Sequence, residues 1–355
     1  MNRFESLFSH LSDETDCVFI TSDVNRRYFT GMKSSAGIVV AFRSKAYLII
    51  DFRYIEKARL TVKSAEVIEQ KNLFSQLESL LKENNAVNIA IEAETMTVSE
   101  LSAYKQKLSA YHFNDSSMLS NAIGALRSIK DDEEIKCIQK AQSIAENAFE
   151  QILKFIKVGV TEREIALKLD FTMMQLGAEA LSFETIALSG ANTSMPHGVP
   201  SDRKVCSGEF VLMDFGAVYN GYHSDMTRTV CVGKPDPEME KVYNIVLEAQ
   251  KTALSYAKAG IKGSQLDAVS RDVIAKAGYG NFFGHALGHG VGLEIHELPV
   301  ASPKSDKILK TGSVVTIEPG IYIPGKFGVR IEDFVIITEK SCQNLTKSVK
   351  SIISL

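Results

Sequence analysis

The sequence predicts an α/β protein built as two domains, and three features carry that prediction. From Asp16 to Ala93 short β-type runs, CVFITS, AGIVVAF, KAYLII and NIAIEA, alternate with helix-like segments such as LFSQLESLLKEN. From Leu126 a long segment carries apolar residues at helical spacing, and beyond Phe183 the pattern turns to strands and loops. The chain, at 355 residues, is longer than one hydrophobic core usually supports.

Taken in order, residues 1–124 make a compact α/β domain closed by a helix over VSELSAYKQKLSA, and the stretch from Asn114 to Ala125 reads as a link. Residues 125–355 open on a long helix whose acidic start, DDEE, suits the positive end of a helix dipole. Ile135, Ile138, Ala141, Ala145, Ala148, Ile152 and Ile156 fall on one face of it, which predicts that this face is buried. Thr161 and Glu164 form a capping box ahead of a helix ending near Gly177, and two further helices are expected near 238–259 and 264–277.

Composition excludes several functions. The net charge of −3 gives no electrostatic reason to expect nucleic acid or an anionic membrane as partner. No apolar run approaches the roughly 20 residues that span a bilayer, and MNRFESLFSHLSDE is too polar for a secretory signal, so the expected location is the cytoplasm. The five cysteines, Cys17, Cys137, Cys206, Cys231 and Cys342, form no CxxC pair and read as free, mostly buried thiols in a reducing compartment.

The informative residues are acids set in runs that otherwise read as buried strand. Asp214 follows Val211, Leu212 and Met213, and Asn220-Gly221 downstream is a strong two-residue hairpin signal. With Tyr219 facing Tyr222, counting outward sets Gly216 opposite Asp225, so Asp214 and Asp225 become diagonal neighbours about 7–8 Å apart on one face. Two carboxylates on an apolar face repel unless a cation lies between them; the alternative is that one supports the turn and the other meets an arginine such as Arg228.

The rest of the chain favours the cation. VVTIEPGIYIPGKFGVRIEDFVII repeats the arrangement with Glu318 and Glu332, and FFGHALGHGVGLEIHE adds His285, His289 and His296 amid glycines. That segment is not HExxH, because its glycines disfavour a helix and no Glu follows the first His. Two Asp, two Glu and at least one His make an oxygen-rich set with charge enough for two divalent cations, Mn²⁺ and Co²⁺ rather than thiolate-bound zinc. Two such ions activate water at neutral pH and polarise a carbonyl, which points to hydrolysis.

The segments MDFGAVYNGYHSDMTRT, GHGVGLEIHE, TIEPGIY and VRIED, in this order, resemble the pita-bread metallopeptidases. The resemblance implies Asp214, Asp225, His289, Glu318 and Glu332 as metal ligands, with Asp225 and Glu332 in a region shared by the pair. It implies two divalent ions per chain, Mn²⁺ foremost, with Co²⁺ or Zn²⁺ as alternatives. The first domain, with TSDVNRRYFTGM and IIDFRY, and the segment SFETIALSGANTSMPHG are similar to aminopeptidase P, prolidase and creatinase. They imply a creatinase-like N-terminal domain followed by a pita-bread domain of mixed α and β structure, and a homodimer.

By the same resemblance the substrate is a peptide with proline in second position. An Xaa-Pro bond lacks an amide hydrogen and its ring fixes φ, so it calls for a dedicated pocket. His296 is expected at the scissile carbonyl or its oxyanion, His285 at the proline side or the carboxylate, and His197 in substrate positioning. Arg330 is expected to brace Glu332 or to bind a substrate carboxylate, and Glu318 to shuttle the proton to the leaving nitrogen. With no tryptophan in the chain, an aromatic wall falls to Tyr28 and Phe183.

An Xaa-Pro aminopeptidase is the leading expectation, because Arg330 is the one evident basic group to insist on a dipeptide's free carboxylate. An Xaa-Pro dipeptidase, or prolidase, is the alternative. A metal-free peptide-binding module on the same fold is a third reading, against which the complete ligand set argues.

Overall fold

The computed structural model describes residues 2–355 and falls into two compact units, Met1–Arg127 and Ser128–Leu355. The first unit is built on a six-stranded mixed sheet in the spatial order Glu66–Glu69, Ala46–Ile50, Ile38–Phe42, Cys17–Ile20, Asn88–Ile91, His112–Asn114. The four central strands are the four apolar runs seen in the sequence. Phe19, Val40, Ile49 and Ile89 from them pack with Leu77 and Leu81 of the helix Leu73–Glu83. The two outer strands, EVIE and HFN, are short and polar, as edges tend to be. The stretch that the sequence presents as a link instead contains the helix Met118–Arg127, which buries Leu119, Ala122 and Ile123.

The second unit opens on the helix Asp132–Ile152, capped by Asp131 and Glu134 in a capping box. Of its expected apolar face, Ile135 is only half-buried; Glu134 is the buried neighbour and accepts the Tyr222 hydroxyl at 2.9 Å. Thr161 and Glu164 cap the helix Glu162–Gln175 as expected, and the helices Pro237–Tyr256 and Gly263–Lys276 follow. Among the described residues no helix is long and apolar enough to cross a membrane. None of the five cysteines is in a disulfide, but only Cys17 and Cys231 are fully buried, and Cys206 is exposed.

Two β-hairpins shape the unit. Asn220 and Gly221 take φ values of 49° and 83°, the left-handed pair that a tight hairpin turn requires. The pairings Val218↔His223 and Phe215↔Met226 share one register, which carries Gly216 opposite Asp225. The second hairpin does the same: Gly320↔Arg330 and Ile317↔Asp333 share one register, which carries Glu318 opposite Glu332. The first hairpin is interrupted at Gly216 and at Ser224 and Asp225, the second at Glu318 and Pro319 and at Ile331 and Glu332, and the two halves of each hairpin join different sheets.

Strand alternation then decides where the carboxylates face. Val211, Met213 and Phe215 enter the core with helices Asp132–Ile152 and Glu162–Gln175. Val315, Ile317, Ile331, Val335 and Ile337 enter the core with helices Pro237–Tyr256 and Gly263–Lys276. With a period of two, burying these residues against helices turns Asp214, Glu318 and Glu332 to the opposite faces.

The bend at Gly216 leaves no room for a side chain, since a Cβ there would lie 2.0 Å from the Ser224 carbonyl oxygen. Gly216→Ala is therefore expected to destabilise the protein by about 1–3 kcal/mol, read as a lowered midpoint in denaturant unfolding at unchanged slope.

Candidate active site

Asp214 lies near the end of the strand Glu209–Phe215 and Asp225 just before Met226–Val232; Glu318 follows Val314–Ile317 and Glu332 precedes Asp333–Ile337. His289 is the middle residue of the strand Gly288–Gly290. Gly288 allows that strand to sit close, because a Cβ there would lie 2.0 Å from the Thr316 carbonyl oxygen. These five residues line one cavity of about 580 Å³, together with His197, His285, His296, Arg330 and Phe183. Tyr28 is instead buried in the first unit, with the Arg3 guanidinium 4.1 Å over its ring.

The donor set is one that a cation fits. One donor atom from each of Asp225, His289 and Glu332 lies within 4.8 Å of the others. Burial raises the carboxyl pKa of Asp225 and of Glu332 well above the usual range, and the neighbouring acids add to it. Burial also pushes Glu318 up to about 8, against the pull of Arg330. Asp214 Oδ1 and Glu332 Oε1 are buried and have no hydrogen-bond partner in the protein. Burial lowers His289 to about 4, so it is neutral, and Nδ1 donates to the Gly290 carbonyl at 3.1 Å. Its Nε2 lone pair therefore faces Asp225 Oδ2 at 3.6 Å and Glu318 Oε1 at 3.4 Å, separations that suit a shared cation better than a hydrogen bond.

Hydroxyls hold two of the other oxygens. Thr227, opposite Asp214 in the ladder, donates to Glu332 Oε2 at 2.8 Å, and Thr316 donates to Glu318 Oε1 at 3.1 Å. Asp333 supplies a contrast. It is adjacent to Glu332 and equally buried, yet its oxygens take Arg228 at 2.8 Å, Lys350 at 2.5 Å, Gln250 at 3.0 Å and Asn344 at 2.7 Å. Those cations hold its pKa down despite burial. Arg228 thus pairs with Asp333 and with neither aspartate of the first hairpin.

Arg330 corrects the sequence reading. It does not brace Glu332; its Nη2 donates to Asp214 Oδ2 at 2.6 Å, Nε to Thr227 at 2.9 Å and Nη1 to the Tyr322 hydroxyl at 2.9 Å. A guanidinium buried and engaged on all three nitrogens is a support of Asp214 rather than a free receptor for a substrate carboxylate. Tyr322, absent from the sequence reading, continues the chain of hydrogen bonds to His285 Nε2 at 2.9 Å. Burial and the nearby Arg330 lower His285 to about 4, and its Nδ1 donates to the Ala286 carbonyl at 2.8 Å. The neutral ring therefore accepts the Tyr322 proton at Nε2. With both nitrogens committed, His285 offers the cavity a ring surface, which suits a proline side better than a carboxylate.

His296 and His197 are the exposed histidines of the wall. The His296 ring stands 4.2 Å from the His289 ring at 73°. The loop bearing His197 is tied at both ends to Glu162, which is fully buried and accepts from Ser189 N at 2.7 Å and Ser201 N at 3.0 Å. Glu162 also went unread in the sequence, where it is one acid in the first turn of a helix.

Comparison with known proteins gives this arrangement its family. Residues 136–339 match metallopeptidase family M24, and residues 7–129 match the creatinase/prolidase N-terminal domain. The chain is 40% identical to the Xaa-Pro dipeptidase of Pyrococcus furiosus over 99% of each chain. A solved Xaa-Pro dipeptidase from Bacillus anthracis superposes with a TM-score of 0.96 at 42% identity, over 99% of each chain. An X-Pro aminopeptidase from Thermotoga maritima superposes with a TM-score of 0.91 at 38% identity, over 96% of this chain and 98% of that one. The chain belongs to metallopeptidase family M24 and carries the family's creatinase-type N-terminal domain.

The contrast between neighbouring acids is testable. Burial and the neighbouring acids raise the Glu332 pKa and so favour its neutral form in the metal-free protein, and Glu332→Gln should change stability by no more than about 1 kcal/mol. Asp333→Asn, which leaves Arg228 and Lys350 facing a neutral group, should cost roughly 3 kcal/mol or more. Denaturant unfolding of both variants in excess chelator, beside metal analysis of the loaded proteins, should separate them: Glu332→Gln is expected to lose metal and Asp333→Asn to lose stability.

Proposed function

We propose that the protein is a metal-dependent peptidase that hydrolyses the bond before proline, with Xaa-Pro dipeptides as its preferred substrates. The observation that carries the reading is the convergence of Asp214, Asp225, His289, Glu318 and Glu332, with unpartnered carboxylate oxygens, in a cavity walled by histidines and apolar residues. These five side chains are the proposed ligands of two divalent ions, with Mn²⁺ favoured and Co²⁺ or Zn²⁺ compatible with the same donors. The chemistry such ions would supply there is to bring the pKa of a water near neutrality and to polarise the scissile carbonyl.

The chain's own residues supply the rest of the reaction. Water oxygen adds to the carbonyl carbon of the residue before proline, the C–N bond breaks, and a proton passes to the proline nitrogen. Glu318 is the group that takes that proton from water and delivers it. His296, exposed beside His289, donates to the oxyanion as charge develops. The His285 ring lies along the proline ring, and His197 orients the substrate from its loop. Five cysteines outside any disulfide suit a reducing compartment, which supports a cytoplasmic site of action.

The dipeptidase reading replaces the aminopeptidase expectation because the relatives named above as Xaa-Pro dipeptidases match at 40–42% identity over 99% of each chain. Two observations favour the aminopeptidase reading: the likeness to the Thermotoga maritima X-Pro aminopeptidase, and the fact that among the described residues Arg330 is the only arginine or lysine lining the cavity and is engaged elsewhere. Hydrolysis of Ala-Pro, Ala-Pro-Ala and Met-Ala-Ser by the Mn²⁺-loaded protein decides between them. Fast cleavage of Ala-Pro with little of Ala-Pro-Ala is expected; comparable rates on both would restore the aminopeptidase, and cleavage of Met-Ala-Ser alone would overturn the proline requirement.

A second outcome concerns the metal. A chelator should abolish activity, and Mn²⁺ or Co²⁺ should restore it better than Mg²⁺, since a histidine donor suits the borderline ions. Asp225→Asn should remain inactive under every ion while keeping its far-ultraviolet circular dichroism.

A further inference from the structure

Arg271 and Asp267 lie one turn apart on the helix Gly263–Lys276 and form a two-point pair, Nε to Oδ2 at 2.8 Å and Nη2 to Oδ1 at 2.9 Å. An exposed pair at this spacing contributes little to stability. This one is placed differently: the Asp267 side chain is 1% exposed and that of Arg271 26%. Both groups reach across to the glycine-rich segment that carries His285.

Three backbone groups of that segment end on the pair. Arg271 Nη1 donates to the Phe283 carbonyl at 2.8 Å, Nη2 donates to the His285 carbonyl at 2.8 Å, and Asp267 Oδ1 accepts the Leu287 amide at 3.0 Å. Residues 283–287 belong to no helix or strand, so no regular ladder of hydrogen bonds fixes them. Gly284 within the segment has open space around it, so packing alone does not restrain the backbone there. The guanidinium also lies 4.2 Å over the Phe283 ring, and that ring meets the His285 ring edge-on at 5.0 Å and 87°.

We propose that Arg271, acting with Asp267, is a positioning residue for His285: the pair clamps alternate backbone groups around it and sets how the imidazole enters the cavity. Arg271 does not line the cavity and touches no reacting atom. Its effect passes through the place of one ring, which forms the wall for the residue after the scissile bond. The proposal rests on the reading of the site as an Xaa-Pro peptidase.

A tether with a purely structural role would lower stability without regard to His285. Positioning predicts coupling to that residue. The test compares metal-loaded wild type, Arg271→Met, His285→Ala and the double variant on Ala-Pro, with amide hydrogen exchange followed over residues 283–289. Arg271→Met is expected to raise KM about tenfold with a smaller change in kcat, the pattern of lost ground-state binding. In the His285→Ala background the same substitution should change KM by less than about twofold, because the ring it positions is gone. Exchange at 283–289 should quicken in Arg271→Met with both backgrounds.

An equal factor in KM with and without His285, or unchanged exchange, would overturn the proposal. Should Arg271→Met not fold, Arg271→Lys, which keeps the charge but loses the second arm, carries the same comparison. If the wild type cleaves no Xaa-Pro bond, the proposed function fails on its own, and the clamp is decided by exchange: faster exchange at 283–289 in the variant supports it and no change overturns it.

Discussion

The second unit is organised around the cost of keeping four carboxylates away from water on neighbouring strands. Each ionised carboxylate costs several kcal/mol to bury, and a single hydroxyl donor to a charged oxygen returns only about 1.5–3 kcal/mol. Thr227 and Thr316 each satisfy one oxygen, and Arg330 satisfies one of Asp214. Asp214 Oδ1 and Glu332 Oε1 remain without partners. The protein's own groups do not balance the cluster, and the divalent metals that membership of metallopeptidase family M24 implies are the kind of group that would. Two hairpins with matching register, each bent at its acids, are the backbone solution that brings the four together.

Much of this was legible in the sequence because strand geometry is periodic. The Asn220-Gly221 turn fixed the register, and the register carried Asp225 opposite Gly216, as counting outward from the turn requires. The capping box at Thr161 could be read because it depends on residues three apart, whereas at Asp131 only the acidic start of the helix was visible. What could not be read depended on distant or degenerate signals. The edge strands EVIE and HFN carry too few apolar residues to stand out. The helix Met118–Arg127 sits in a stretch whose polar start resembles a connection.

Side-chain partners across the fold were the least visible. Nothing local to GVRIED says that Arg330 reaches Asp214, 116 residues earlier, instead of Glu332 two residues on. The reason is again periodicity: Arg330 and Glu332 belong to different halves of the bent hairpin, one in the strand Phe327–Arg330 and one just before Asp333–Ile337. Tyr322 escaped notice for a related reason. As a buried tyrosine in GIYI it reads as core, and only the fold shows its hydroxyl joining Arg330 to His285.

Glu332 and Asp333 show how one dipeptide separates structure from chemistry. Consecutive residues on an extended backbone face opposite ways. Asp333 faces the side where Arg228, Lys350, Gln250 and Asn344 meet it, and its charge is fully answered within the chain. Glu332 faces the cavity, where a threonine answers one oxygen and nothing in the protein answers the other. Had Glu332 been structural, the same inexpensive cations could have been placed against it, as they are one residue away. The side on which the protein withholds those partners is the side on which it is arranged to bind something, and the function of the chain is written in that asymmetry more clearly than in the burial of either acid.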